Sequence, residues 1–190
     1  MKTEILVITD RSGSMAATAN DVIGGYNAFL AEQRTVPGEA RVTFTQFSTE
    51  YAIAYQGRPL AEAPDLNSGT YRPNGGTALY DAIGRTLNEQ GRRIAQENWA
   101  DLVLVVIITD GEENQSREYR LENIRAMTEH AEASGWKFIY LAANQDAFSA
   151  AQNLGLRGAT AMNYAQANGG TVAGYATMSA SVTNARTMKP

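Results

Sequence analysis

Asp10-Arg11-Ser12-Gly13-Ser14 follows directly on the apolar run Ile5-Leu6-Val7-Ile8 and sets one carboxylate and two hydroxyls at alternate positions. Oxygen donors of this kind are hard ligands, suited to a small divalent cation such as Mg²⁺. Two later segments, Gly75-Gly76-Thr77 and Thr109-Asp110-Gly111, offer a further hydroxyl at Thr77 and a further carboxylate at Asp110. Taken singly, these residues have plainer uses. Asp10, Ser12, Ser14 and Thr77 are favoured helix N-cap types, and Gly75-Gly76 and Asp110-Gly111 are ordinary turn pairs. The joint pattern is harder to explain that way. Two acids at the ends of two buried strands repel each other unless a cation lies between them, and neither Lys2 nor Arg11 is clearly placed to serve. Three hydroxyls and two carboxylates would fill part of a Mg²⁺ shell and leave a position open.

The elements that must position these groups can be read from hydrophobic spacing. Ile5 to Thr9, with apolar residues on both faces, predicts a strand of a sheet covered on both sides. Val22, Ile23, Tyr26, Phe29 and Leu30 recur at helical spacing between Ala17 and Arg34. Gly24-Gly25 inside that helix predicts close packing against the sheet, since each glycine costs about 1 kcal/mol relative to alanine. Arg41–Phe47 and Tyr51–Tyr55 read as strands, and the short link between them allows only an antiparallel hairpin. The segment from Gln56 to Gly76, punctuated by prolines and glycines, reads as mostly loop. A helix from Ala78 to Gln96 leads to Leu102–Ile108, whose run of Val, Ile and Leu marks the central buried strand. A helix (Glu118–Ser134), a strand (Lys137–Ala142), a short helix (Asp146–Leu154), a short strand (Ala159–Met162) and a final helix over 170–187 complete the pattern.

Strand–helix alternation with one hairpin predicts an α/β fold of Rossmann-like, doubly wound type. Its sheet is six-stranded and mostly parallel with one antiparallel edge strand, and helices cover both faces. Ligands of such sheets bind at the carboxyl ends of the strands, near the point where strand order reverses. Asp10 and Asp110 occupy that end of their strands, and Thr77 heads the helix that feeds the strand carrying Asp110.

Composition narrows the chemistry. A chain of 190 residues, without repeats or linkers, fits a single domain spanning 1–190. A net charge of −4 argues against a broad nucleic-acid surface, and Arg85, Arg92 and Arg93 read as the solvated face of a helix. The absence of cysteine removes disulfides, thiolate zinc sites and cysteine catalysis. The single histidine, His130, lies in a helical stretch, where a surface or packing role is expected rather than metal binding or a catalytic triad. The first apolar run is too short for a signal peptide or membrane span, so the expected compartment is the cytoplasm.

The three segments together resemble the metal-ion-dependent adhesion site of von Willebrand factor type A (VWA) domains, in the order and at the strand ends that family uses. Gly24-Gly25-Tyr26-Asn27-Ala28-Phe29-Leu30 and Ala143-Asn144-Gln145-Asp146-Ala147 also resemble stand-alone type A proteins of bacteria and phages. The resemblance implies that Ser12, Ser14 and Thr77 touch the metal through their hydroxyls and that Asp10 and Asp110 act directly or through water. A carboxylate from the partner would complete the shell. The implied cofactor is Mg²⁺, with Mn²⁺ or Ca²⁺ as alternatives. The implied function is a protein–protein interaction module, not an enzyme. Its partner would be a protein presenting an Asp or Glu, and the chain alone would be a monomer, with no nucleic acid and no membrane involved. At the rim, Arg11 would serve as an attractor of acidic ligands or as an exposed spacer. Glu112, Glu113 and Asn114 border the same edge, Asn144 would shape the rim, and Asp146 would cap the next helix. Tyr71 and Arg72 sit in the preceding loop, read as an exposed segment that could touch a partner.

Two other functions compete. Haloacid-dehalogenase-like phosphatases also end their first strand on an aspartate near Mg²⁺, but they need a second aspartate two residues on as acid/base, where this chain has Ser12. A dinucleotide-binding turn would need Gly-x-Gly-x-x-Gly, and the segment after the first strand supplies one glycine and an aspartate that would repel a pyrophosphate.

Overall fold

A computed structural model describes residues 1–143, 146–165 and 170–188. The elements in chain order are β1 (Lys2–Asp10), a 3₁₀ turn (Gly13–Thr18), α1 (Ala19–Thr35), β2 (Glu39–Phe47) and β3 (Tyr51–Pro59), then a short 3₁₀ turn (Leu60–Glu62). The second half runs α2 (Leu79–Glu97), β4 (Leu102–Thr109), α3 (Leu121–Ala133), β5 (Lys137–Ala143), α4 (Ala147–Asn153), β6 (Thr160–Tyr164) and α5 (Gly170–Thr187). The strands form one six-stranded sheet in the order β3-β2-β1-β4-β5-β6. Only the β2–β3 pair is antiparallel; all others are parallel.

Side chains alternate between two cores, as a pleated strand requires. Ile5 and Val7 of β1 join Val22, Tyr26 and Phe29 of α1 and Tyr175, Met178 and Val182 of α5 on one face. Leu6 and Ile8 join Leu79, Ile83 and Leu87 of α2, Ile124 of α3 and Ala147 and Ala151 of α4 on the other. All eight residues of β4 are buried, so its unbroken aliphatic run reflects helices on both sides. Strand order reverses between β1 and β4, which lie side by side with Thr9 opposite Ile108. Among the described residues no helix is long and apolar enough to cross a membrane.

Several sequence expectations need correction. Residues 56–59 continue β3 instead of starting the loop, because Arg58 and Pro59 pair with Val42 and Arg41 of β2. Gly25 is a notch for α5, not for the sheet: a Cβ there would lie 2.5 Å from Cγ of Tyr175, whereas a Cβ on Gly24 would meet nothing. Helix α3 starts at Leu121, three residues later than its apolar spacing suggests, because Asp81 of α2 captures the N–H groups of Arg117, Glu118 and Tyr119 at 2.9 Å each. Nor do the three arginines form one solvated face. Arg92 is exposed, but Arg93 turns inward onto the buried carboxylate of Glu4.

Candidate metal centre

Asp10 is the last residue of β1 and Asp110 the first after β4, so the two carboxylates emerge side by side at the topological switch point. The Asp10 carboxylate is fully buried. One oxygen accepts the Ser12 N–H at 2.7 Å, and the other accepts the Thr109 hydroxyl at 2.7 Å. The Ser12 and Ser14 hydroxyls lie 3.0 Å apart, and Ser14 Oγ donates to Asp110 Oδ1 at 2.8 Å. The N-cap uses that the sequence also permits for the hydroxyls are not made. Ser12 forms no side-chain cap bond, and Thr77 precedes Ala78, which occupies the cap position of α2.

Thr77 reaches the same place. A Cβ on Gly111 would lie 3.5 Å from Thr77 Oγ1 and 3.9 Å from Ser14 Oγ, ordinary contact distances, so both hydroxyls face one glycine. The backbone around Thr77 is fixed from two directions. Its N–H donates to Asn114 Oδ1 at 3.0 Å, and its carbonyl accepts the N–H groups of Asn114 and Gln115. On the other side, Gly13 N–H donates to the Gly75 carbonyl at 3.0 Å and Asn74 N–H to the Arg11 carbonyl at 2.8 Å. The structure thus brings Asp10, Ser12, Ser14, Thr77 and Asp110 to one sheet edge. Ser14 faces solvent, and the other four are buried.

The electrostatics fit a cation. Burial pushes the Asp10 carboxyl up to about 6, and the neighbouring Asp110 carboxylate adds to the rise against the pull of its N–H and hydroxyl donors. Among the described residues no lysine, arginine or histidine forms an ion pair with Asp10. No group of three acidic or histidine side chains gathers among the described residues either. The donor set is two carboxylates with three hydroxyls, which suits a hard divalent ion that keeps part of its water.

Four positioning groups are not marked as such by the sequence. Thr109 orients Asp10; the sequence sets it in the motif beside Asp110, just past the strand read as 102–108, and assigns its hydroxyl no role. Tyr71 is buried, not part of an exposed loop, and its hydroxyl donates to the Asp10 carbonyl at 2.7 Å. Asn114 holds Thr77. Glu113 accepts the N–H groups of Tyr80, Gln115 and Ser116 at 3.0, 2.8 and 2.7 Å, tying the start of α2 to the loop after Asp110. At the rim, Arg11 bonds Asn74 Oδ1 and Glu50 Oε2, each at 3.2 Å, so it is a tether more than a spacer. Asp146 caps α4 through the N–H groups of Phe148 and Ser149. Asn144 lies outside the described residues, and His130 is exposed on α3.

No family model matches the sequence, and no curated protein matches it. Solved structures do. The vWF domain of the type V pili tip protein Mfa5 from Porphyromonas gingivalis is similar with a TM-score of 0.67 at 11% identity, over 99% of this chain and 97% of that one. Proximal thread matrix protein 1 from the mussel byssus, with a zinc-occupied MIDAS motif, is similar with a TM-score of 0.60 at 12% identity, over 97% of this chain; the chain spans about half of that protein, 46% of its length. Manganese-loaded TRAP protein of Plasmodium vivax has a TM-score of 0.53 at 14% identity, over 74% of this chain and 57% of that one. At such identities the likeness speaks to architecture, and the chain has the fold of a von Willebrand factor type A domain.

Proposed function

We propose that this chain is a divalent-cation-dependent protein–protein interaction module. Asp10, Ser12, Ser14, Thr77 and Asp110 hold Mg²⁺, with Mn²⁺ or Ca²⁺ as substitutes, and the ion takes a carboxylate from an acidic side chain of the partner. The observation that carries this reading is the convergence of three hydroxyls on two adjacent carboxylates, one of them fully buried with no basic partner among the described residues. Zinc and manganese in two of the similar structures support a divalent ion at this edge. When bound, the ion supplies a Lewis-acidic point that accepts a carboxylate oxygen. The chain's own groups orient the donors: Thr109 and the Ser12 N–H hold Asp10, and Asn114 holds Thr77.

Calorimetric titration of Mg²⁺ into chelator-treated protein tests the metal. Wild type should bind, and Asp10→Ala should not. Equal binding by both would remove Asp10 from the site and the proposal with it. The phosphatase alternative has no structural support beyond the shared aspartate, since Ser12 stands where its acid/base should be and its hydroxyl is engaged with Ser14. Sustained hydrolysis of a generic phosphate ester in Mg²⁺ would reverse that choice.

A further inference from the structure

The two flanks of the metal centre carry opposite charge. On the β4 side, a groove of about 260 Å³ runs beside Leu79 and Leu121, bordered by Glu112 and Glu113. On the β3 side, a groove of about 440 Å³ lies between β3 and the 63–70 loop. Ala52, Ala54, Tyr55 and Leu66 line it, and Arg11 and Arg72 stand beside them. Arg11 belongs to the metal-binding segment itself, between Asp10 and Ser12, so this groove begins where the metal centre ends.

The charges in the β3-side groove are not equivalent. Asp65 borders it, but its carboxylate pairs with Arg34 at 3.6 Å. Arg11 is mostly buried and pairs with the exposed Glu50 at 3.2 Å. Arg72 is exposed and forms no ion pair with any described acid. One guanidinium is therefore available beside an apolar floor. Across the metal, Glu112 is exposed and would repel an acidic chain. With a divalent ion in place, the charges of Asp10 and Asp110 cancel against it. In a protein of net charge −4, the flanks then decide how an acidic partner approaches.

We infer that the β3-side groove is the second half of the docking surface. Besides the carboxylate taken by the metal, it receives a second carboxylate at Arg72 and an apolar side chain on the Ala52–Ala54–Leu66 floor. The partner segment lies toward β3, with its acidic flank turned away from Glu112. This inference rests on the metal-docking reading above.

The test is selection of short random displayed peptides on the protein in Mg²⁺, with elution by EDTA. EDTA-eluted peptides should carry two acidic residues and one apolar residue at a recurrent spacing. Synthetic copies should bind Arg72→Glu about fivefold more weakly at low salt, the upper range for an exposed ion pair. They should also weaken against Ala54→Trp, which fills the groove, and bind unchanged to Arg92→Glu on α2. Reselection on Arg72→Glu should replace the second acid by lysine or arginine. EDTA-eluted peptides with a single acid, or equal binding to Arg72→Glu, overturn the groove and leave the metal reading standing. Absence of any EDTA-eluted peptide overturns the metal reading and the groove with it. Thermal melts matching wild type confirm that Arg72→Glu and Ala54→Trp fold, and Arg72→Gln supplies a milder variant of the same change.

Discussion

Glu4 and Asp10 lie six residues apart on the same face of β1, and both are almost wholly buried. Their surroundings differ. Glu4 meets the Arg93 guanidinium from α2 and accepts the Thr43 hydroxyl at 3.3 Å; burial raises its carboxyl, and the arginine opposes the rise. Asp10 has donors of partial charge only, the Ser12 N–H and the Thr109 hydroxyl, and its carboxyl rises to about 6. One end of the strand carries its cation covalently in the chain. At the other end the described residues supply the acid but no base. A buried carboxylate left so is costly, and a site that recruits its cation from solution is the kind of function that justifies it.

Changes to either end can break the comparison. The largest effect is expected at Arg93. Arg93→Met should cost about 3–5 kcal/mol in denaturant unfolding, because Glu4 stays buried without its partner. The double change Glu4→Met/Arg93→Met should recover most of that loss; if it does not, Glu4 is not the reason for the cost.

Asp10→Asn should act in the opposite direction on metal-free protein. The folded-state pKa of about 6 lies above the ordinary 3.8, so the folded protein holds a proton that the unfolded chain has already released. Stability from this group is complete below about pH 4 and is lost as pH rises to about 6. At pH 7 and without metal, Asp10→Asn should be more stable than wild type by about 2–3 kcal/mol, because each tenfold change in proton affinity is worth about 1.4 kcal/mol. The difference should vanish below about pH 4, and Mg²⁺ should no longer raise the melting temperature. A destabilised Asn variant at pH 7 would mean that the carboxylate is already compensated.

Smaller effects lie in the groups that hold Asp10. Thr109→Val keeps the shape but removes a hydroxyl that orients the carboxylate, and calorimetry should show Mg²⁺ affinity about 10–100-fold lower. Tyr71→Phe removes one hydrogen bond to the Asp10 carbonyl and should cost about 1 kcal/mol in denaturant unfolding, with Mg²⁺ affinity nearly unchanged.

What the sequence made legible is what local patterning controls. The aliphatic run 102–108, the helical spacing of Val22, Tyr26 and Phe29, and the short β2–β3 link predicted the sheet and its antiparallel edge strand. The alternating donors after Ile8 pointed to the edge where the candidate site lies. What stayed hidden depends on residues distant in the chain. Residues 56–59 extend because β2 is there to pair with, not because Gln56 and Gly57 favour strands. Residues 118–120 stay outside the helix because Asp81, more than thirty positions earlier, takes the N–H groups of 117–119. Arg93 and Tyr71 look like surface residues until Glu4 and the Asp10 carbonyl are found beside them.

The exchange of carboxylates between α2 and the segment after β4 has a consequence for how such a module can diversify. Asp81 of α2 grips residues 117–119, and Glu113 of that segment grips the start of α2 at Tyr80. An insertion anywhere from 113 to 119 would release backbone donors on both sides and shift Thr77 through Asn114. The 63–70 loop is held elsewhere, by Asn27 of α1, which exchanges hydrogen bonds with Leu66 at 3.0 and 2.7 Å, and by Gln46 of β2, which donates to the Thr70 carbonyl at 2.9 Å, so side-chain changes at its exposed positions leave the oxygen cluster's own bonds untouched. New partners would then be acquired more readily through variation on the β3 side, with the doubly tied β4 side serving as the fixed hinge-plate of the binding face.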